Sequence, residues 1–132
     1  MYQPFVTLLN QKLAKYELYV SQYAVLRELY REGDLTIGEI SKRRSVERPT
    51  ITRTVQRLHS LGYVEGKSGN DKRERKISLT DLGKKTCTEI QHSIEEFELK
   101  ALEGISKADQ VKAAEILAKV HLNLISIGGE KV

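Results

Sequence analysis

Apolar residues along most of this chain stand three and four positions apart, the spacing that predicts amphipathic helices. The apolar side of the first predicted helix consists of Phe5, Leu8, Leu9, Leu13 and Tyr16. We expect a second helix to begin with Ser21 as its cap and to end at Gly33, because these residue types are common at the two ends of helices. Leu35 then predicts a short strand.

Two further helices are predicted close together. In the sequence TIGEI, at positions 36–40, Thr36 and Glu39 have the spacing of a capping box, in which each side chain serves a backbone amide of the other residue. A longer helix is expected to begin near Arg48. Its buried side is predicted to consist of Ile51, Val55 and Leu58. Two helices joined by a tight turn indicate a helix-turn-helix, whose second helix enters the major groove of DNA.

The other side of this longer helix carries residue types that read DNA bases. They are Arg48, Pro49, Thr50, Thr52, Arg53, Gln56 and Arg57. Arginine can form two hydrogen bonds with guanine, glutamine can pair with adenine, and threonine can contact the methyl group of thymine. We therefore predict a base-reading surface here. The alternative interpretation is an ordinary solvated helix face.

A β-hairpin is predicted next, with strands at 63–67 and 75–79 joined by a charged, turn-rich segment. Ile77 is expected to join the core, while Arg73 and Arg75 lie on the same side but farther from the helices. The two arginines can then reach a flanking minor groove, whose negative potential attracts arginine. The alternative is a charged edge hairpin that only resists aggregation.

Charge is distributed unevenly along the 132 residues. The whole chain has a net charge of +4, but residues 42–76 contain eleven basic and four acidic residues, a net +7, which leaves −3 elsewhere. A basic middle within an acidic frame indicates a polyanionic partner for the middle, although a solvated basic face is the alternative. The length fits one domain. Because neither a membrane-spanning run nor a signal peptide is recognisable, we expect a cytoplasmic protein without membrane contact.

The order of these features resembles the MarR (multiple antibiotic resistance regulator) family. The resemblance is carried by LTIGEISKRRSVERPTITRTVQRLHSLGYVEG, by the Asp71-Lys72-Arg73 triplet and by LTDLG at 79–83. It implies a mainly α fold with a small β-wing: a winged helix-turn-helix at 21–80, flanked by dimerisation helices at 1–20 and 81–132. It also implies a transcription regulator that binds double-stranded DNA as a homodimer, most often a repressor released by a ligand or an oxidant. By position, Arg73 would enter the minor groove and Asp71 would orient it.

The flanking helices are expected to form the dimer. Thr80 can cap a long helix, and a last helix after Ser106 has apolar residues at the alternating spacing of a helix-pair seam. The residues assigned to dimerisation are Phe5, Leu9, Leu117, Val120, Leu124 and Ile127. The alternative for each apolar stripe is burial within one chain. A two-fold dimer would read a near-palindromic operator with half-sites about 10 base pairs apart.

Several residues suggest what such a regulator could sense. Tyr16, Tyr19, Tyr23 and Tyr30 could line a cavity for a small aromatic or other apolar effector, or could simply pack in the core. Cys87 permits an alternative function as a redox-sensing repressor, although its place in the long helix favours a buried structural thiol. The three histidines lack the spacing of metal ligands, so we expect neither a metal site nor another cofactor.

Catalysis is not expected from this sequence. It contains no glycine-rich phosphate loop, nucleophile elbow or supported catalytic triad. A winged helix that binds another protein is a further alternative, but such a module would not need Arg53, Arg57, Arg73 and Arg75 on the side expected to meet DNA.

Overall fold

The computed structural model describes the backbone of residues 3–67 and 75–130. The two termini and the hairpin tip lie outside these ranges. Within these residues lie six helices, Gln3–Ala14 (α1), Val20–Glu32 (α2), Ile37–Arg44 (α3), Arg48–Ser60 (α4), Asp81–Ala101 (α5) and Lys107–Glu130 (α6), and three strands, Leu35–Thr36 (β1), Val64–Lys67 (β2) and Lys76–Leu79 (β3). The mainly helical architecture with a small antiparallel sheet confirms the predicted fold class.

The sheet has the strand order β1-β3-β2, with both pairings antiparallel. Leu35 and Gly66 stand on either side of Ile77, which places β3 in the middle. The predicted hairpin and short strand are therefore confirmed, while the hairpin tip at 68–74 lies outside the described residues. Ser78, on the opposite face of β3 from Ile77, is also buried, and α2 packs against this central strand.

Local hydrogen bonds explain where α3 begins. The amide of Glu39 donates to Thr36 Oγ1 at 3.1 Å, and the amide of Thr36 donates to Glu39 Oε1 at 3.0 Å. This reciprocal pair confirms the capping box predicted from TIGEI. The bonded backbone amide of Thr36 is also the main reason why the pKa of the Glu39 carboxyl is lowered.

The prediction that Ser21 caps α2 is wrong. The helix begins at Val20, with Tyr19 as the residue before its first turn. The amide of Tyr19 donates to Gln22 Oε1 at 3.0 Å, and the amide of Val20 donates to Asn10 Oδ1 at 3.2 Å. Because a residue of α1 supplies one of these acceptors, the spacing of cap residues along α2 could not locate the helix end. The predicted end at Gly33 is confirmed, with φ of 85°.

LGYV at 61–64 and LTDLG at 79–83, which carry part of the family resemblance, are hydrogen-bonded to each other between α4 and α5. We name this contact the α4–α5 joint. The amide of Thr80 donates to the carbonyl oxygen of Tyr63 at 3.1 Å, and the Thr80 hydroxyl donates to the carbonyl oxygen of Gly62 at 2.6 Å. The same hydroxyl accepts from the amide of Gly83 at 3.0 Å, which confirms Thr80 as the cap of α5. The joint fixes the beginning of α5 against the turn that follows α4.

The chain packs as two compact units, Met1–Glu95 and Glu96–Val132. The first unit has one hydrophobic core, to which helices α1 to α5 all contribute. Its most deeply buried side chains are those of Leu13, Leu26, Ile40, Ile51, Leu58 and Ile90. In the second unit, Ser106 accepts the amide of Asp109 at 3.1 Å and so caps α6.

Candidate nucleic-acid interface

The predicted base-reading residues lie on the surface of α4. Ile51, Val55 and Leu58 are buried on one side of the helix, as predicted. Thr50 is half-buried, and the other predicted residues of this face are exposed: Arg48, Pro49, Thr52, Arg53, Gln56 and Arg57. The helix therefore presents arginines, a threonine and a glutamine together, within one side of a single rigid element.

Thr50 contacts a neighbouring arginine on this surface. Nη2 of Arg53 donates to Thr50 Oγ1 at 3.3 Å, one turn along the helix. The Thr50 backbone carbonyl also accepts from the Thr54 hydroxyl at 3.0 Å. Thr50 is consequently placed to orient Arg53, while Thr52 and Arg53 offer the more accessible polar groups.

The first turn of α4 begins at Arg48 after Glu47, with Pro49 near the start, and Glu47 makes no side-chain capping bond to this helix among the described residues. The Arg48 guanidinium lies over Gly38 of α3, where an added Cβ atom would be 2.9 Å from Nη2. Gly38 thus leaves room for Arg48 to connect the two helices of the helix-turn-helix. This contact was not predictable from the sequence, because a glycine in TIGEI indicates only a weak helix former.

Acidic residues from outside the basic segment neutralise part of its charge. Nη1 of Arg43 lies 3.5 Å from Glu28 Oε1 and 3.6 Å from Glu32 Oε1, and both acids belong to α2. Lys67 Nζ lies 3.5 Å from Asp34 Oδ2. The net +7 counted along 42–76 therefore overstates the positive charge available to a partner, which leaves the arginines of α4 as the more available cations.

The hairpin contributes Arg75 to the same side of the protein. Arg75 is exposed and its guanidinium lies over Gly66 of β2. Between α4 and the hairpin lies a cleft of about 480 Å³, which we name the α4–hairpin cleft. Its lining residues are Ile37, Val55, Gln56, His59, Val64, Glu65, Gly66, Arg75 and Ile77. The other predicted wing residues, Asp71, Lys72 and Arg73, lie outside the described residues.

The four tyrosines predicted as effector contacts have different surroundings. Tyr23 is buried, which raises its pKa, whereas Tyr19 is exposed. The Tyr16 hydroxyl donates to Glu89 Oε2 at 3.3 Å, and the Tyr30 hydroxyl lies 3.3 Å from Thr88 Oγ1. Tyr16 and Tyr30 thus both reach α5, and none of the four lines the α4–hairpin cleft.

Cys87 has the surroundings of a structural thiol. The residue is buried, and its Sγ atom lies 3.9 Å from the carbonyl oxygen of Leu26, to which it can donate. Burial raises the pKa of Cys87 to about 12. Since oxidants react with the accessible thiolate, these surroundings disfavour a redox-sensing role.

Metal sites and membrane spans are two other features that the described ranges, 3–67 and 75–130, could contain. No group of three or more histidine, cysteine, aspartate or glutamate side chains there could hold a metal ion. Within the same residues, no helix has both the length and the apolar character needed to span a membrane.

Comparisons with known proteins agree with this geometry. The model of the MarR family matches residues 18–74. The HTH-type transcriptional regulator YwoH of Bacillus subtilis is 38% identical over 101 residues, which cover 76% of this chain and 74% of YwoH. The shared region includes enough of both proteins to identify the family.

Solved structures share the fold. The structure titled Staphylococcus aureus MarR in complex with salicylate and kanamycin has a TM-score of 0.86 at 24% identity, covering 95% of this chain and 85% of that one. A MarR family regulator of Listeria monocytogenes, solved with a 26mer DNA, has a TM-score of 0.79 at 20% identity, covering 92% and 82%. At these identities the likeness concerns the fold, and the family assignment rests on the sequence matches. This chain therefore belongs to the MarR family of DNA-binding transcriptional regulators.

Proposed function

We propose that this protein is a homodimeric repressor that binds a near-palindromic DNA operator and leaves it when a small molecule binds. The observation that carries the proposal is the exposed face of α4, on which Thr52, Arg53 and Gln56 lie together. These residue types bond to base edges in the major groove. We therefore call α4 the recognition helix. Since the operator belongs to genomic DNA, the proposed place of action is the cytoplasm.

Arginines on the recognition helix and on the hairpin support a DNA partner. Arg57 is exposed on α4 itself, and Arg75 is exposed on the neighbouring hairpin. Neither belongs to the ion pairs that hold Arg43 and Lys67. Positive charges beside a base-reading helix can bind phosphates and so set its orientation on the duplex.

The surface of α6 supports the homodimer. Leu117 is 68% exposed, and the other residues assigned to the seam on this helix, Val120, Leu124 and Ile127, are also exposed. A second apolar stripe, with Val111, Leu122 and Ile125, is exposed as well. Apolar surface of this extent on one helix is typical of an interaction site. The MarR-like layout makes a second copy of this chain the proposed partner.

Helix α1 offers less apolar surface for a dimer contact than the sequence suggested. Leu9 is 7% exposed because it lies in the core of the first unit. Its neighbour Leu8 is exposed and could meet a second copy. The side chain of Phe5 lies outside the described residues, so its proposed dimer contact rests on the sequence.

A small-molecule effector is proposed by analogy. The structural neighbour from Staphylococcus aureus was solved with salicylate and kanamycin, and that from Listeria monocytogenes with DNA. An aromatic or other apolar ligand near Tyr16, Tyr23 and Tyr30 would contact both α2 and the side chains that these tyrosines reach on α5. Such a ligand could shift α2 and α5 and so alter the position of the recognition helix.

Selection from genomic DNA tests the proposal. Purified protein is incubated with host genomic fragments at physiological salt, and the retained fragments are sequenced. We expect one preferred sequence with two-fold symmetry, bound about 10³-fold or more tightly than bulk DNA. Retention without preference, lost steeply as salt rises, would contradict the proposal and leave only an electrostatic attraction to DNA.

A further inference from the structure

Gly66 and Arg75 lie against each other on one face of the hairpin. Gly66 stands opposite Ile77 in the antiparallel register. Because Arg75 precedes Ile77 by two residues, its side chain leaves the same face of the sheet. A Cβ atom added to Gly66 would lie 2.7 Å from Nε, 2.8 Å from Nη2 and 3.0 Å from Cζ of Arg75. These similar distances indicate that the guanidinium covers the backbone at Gly66.

Backbone conformation does not account for this glycine. The described glycines with positive φ are Gly33, Gly62 and Gly104, so Gly66 has a backbone that other residues can adopt. A glycine within a strand weakens the strand, and it often marks a place where another group approaches closely. The close group here is the guanidinium of Arg75. The missing side chain therefore provides space for Arg75.

Arg75 lines the α4–hairpin cleft together with Gln56 and His59 of the recognition helix. If the recognition helix occupies the major groove and the hairpin tip occupies the adjacent minor groove, one sugar–phosphate strand must pass between them. That strand would cross the cleft. Arg75, which lines the cleft, is consequently placed where a backbone phosphate passes.

We propose that Gly66 is a positioning residue for DNA binding, which holds Arg75 as a contact to the phosphate between the two grooves. The inference rests on the function proposed above. A guanidinium held on the sheet loses less side-chain freedom when it binds, and that loss opposes complex formation. The phosphate contact takes the place of the minor-groove contact expected for Arg75. It adds affinity without base discrimination.

Fluorescence anisotropy with the preferred duplex and a scrambled duplex, at several salt concentrations, tests the inference. Arg75→Ala should weaken binding to both duplexes about tenfold. It should also reduce the slope of log affinity against log salt by about 0.9. Gly66→Ala should weaken binding by ~2- to 10-fold, because its methyl group displaces the guanidinium. In the double variant, Gly66→Ala should add no further loss.

Lys67→Ala is the matched control. Lys67 carries the same charge on the opposite face of β2 and pairs with Asp34 at 3.5 Å, so its removal should change the salt slope less than Arg75→Ala does. If Gly66→Ala unfolds, recovery of the folded state in the double variant would show that overlap with Arg75 is the cause. A double variant that remains unfolded would overturn the inference.

Two further outcomes would contradict the positioning role. If Gly66→Ala still weakens DNA binding by the full amount in the Arg75→Ala background, Gly66 serves only the structure of the sheet. Lost discrimination at one base pair in Arg75→Ala, with an unchanged salt slope, would make Arg75 a base contact. If the wild-type protein prefers no duplex, the proposed function fails first, and the inference fails with it.

Discussion

Gly83 lies so close to the backbone of Tyr63 that a Cβ atom on Gly83 would overlap the Tyr63 carbonyl oxygen. The same oxygen accepts the amide of Thr80 at 3.1 Å. The glycine of LTDLG is thus required by the tyrosine of LGYV, two stretches that are distant in the sequence. Part of the sequence resemblance to the MarR family therefore reflects packing between these two segments and not the reading of DNA.

We predict that Gly83→Ala destabilises the fold by about 1–3 kcal/mol, because the carbonyl of Tyr63 is backbone and has little freedom to move. Urea unfolding at neutral pH measures the change. Lys85→Ala is the control, since Lys85 is exposed on the same helix α5 as Gly83. It should be neutral or slightly stabilising. Equal effects of the two substitutions would contradict the close contact at Tyr63.

Cys87 should make stability fall in alkaline solution. Well below pH 9 the thiol is protonated in both the folded and the unfolded state, so its contribution to stability is constant. Above the ordinary pKa of 9.0 the unfolded chain loses the proton, while the folded protein keeps it up to about 12. The free energy of unfolding should therefore decrease by about 1 kcal/mol between pH 9 and pH 10.

Urea titrations of the wild type and of Cys87→Ala at pH 8, 9 and 10 check this prediction. The decrease in the variant should be smaller by about 1 kcal/mol, whatever its stability at pH 8. Tyr23 and Tyr63 also have raised pKa values, chiefly through burial, but they start from 10.0 and contribute mainly above the window used. An equal decrease in the free energy of unfolding with pH for the two proteins would show that burial does not raise the pKa of the thiol.

Local patterns predicted much of the fold because the contacts that they report are short in sequence. Thr36 and Glu39, three residues apart, are hydrogen-bonded to each other. The spacing of four and three positions between Ile51, Val55 and Leu58 indicates one buried side of a helix. Such features depend on helix geometry alone. The same reasoning predicted that α4 would expose its polar side, which the structure confirms.

Contacts between distant residues were not predictable in this way. Asn10 completes the start of α2 in place of Ser21, because folding brings the side chain of α1 to an amide ten residues later. Arg75 covers Gly66 only after the strands have paired in one register. The sequence identified Arg75 as a basic residue of the hairpin, but its position required the structure.

Arg53→Ala should cost ~1–3 kcal/mol on the preferred duplex and relax discrimination at one base pair. Thr50→Val should give a smaller loss, ~0.5–1.5 kcal/mol, because it removes the 3.3 Å acceptor that orients Arg53 while preserving side-chain shape. Binding to a panel of single-base-pair variants of the duplex measures both effects. Arg43→Ala is the control, since Arg43 pairs with Glu28 and Glu32 and should leave base preference unchanged.

In the Arg53→Ala background, Thr50→Val should have little additional effect if Thr50 acts through Arg53. An undiminished loss there would mean that Thr50 contacts DNA independently. Equal weakening by Arg53→Ala on every duplex in the panel would show that Arg53 binds phosphates and does not read a base.

Leu117→Glu should convert the proposed homodimer into monomers. Leu117 is 68% exposed and lies on the same apolar side of α6 as Leu124, so a carboxylate there would be buried without a described partner in the seam. Sedimentation velocity measures the change in mass. Because each monomer has one recognition helix, the variant should also lose most of its preference for a two-fold-symmetric duplex over a single half-site.

Lys119→Glu is the matched control, because it introduces the same side chain on the narrow polar side of α6 that also carries Lys112 and Asn123. This variant should remain dimeric and retain its preference for the symmetric duplex. Leu122→Glu changes the second apolar stripe and so distinguishes two arrangements of the dimer. If this variant is monomeric, both stripes are buried in the dimer. If it remains dimeric, the seam is restricted to the side of Leu117. If Leu117→Glu itself stays dimeric, α6 does not supply the interface, and the exposed Leu8 of α1 becomes the next position to substitute.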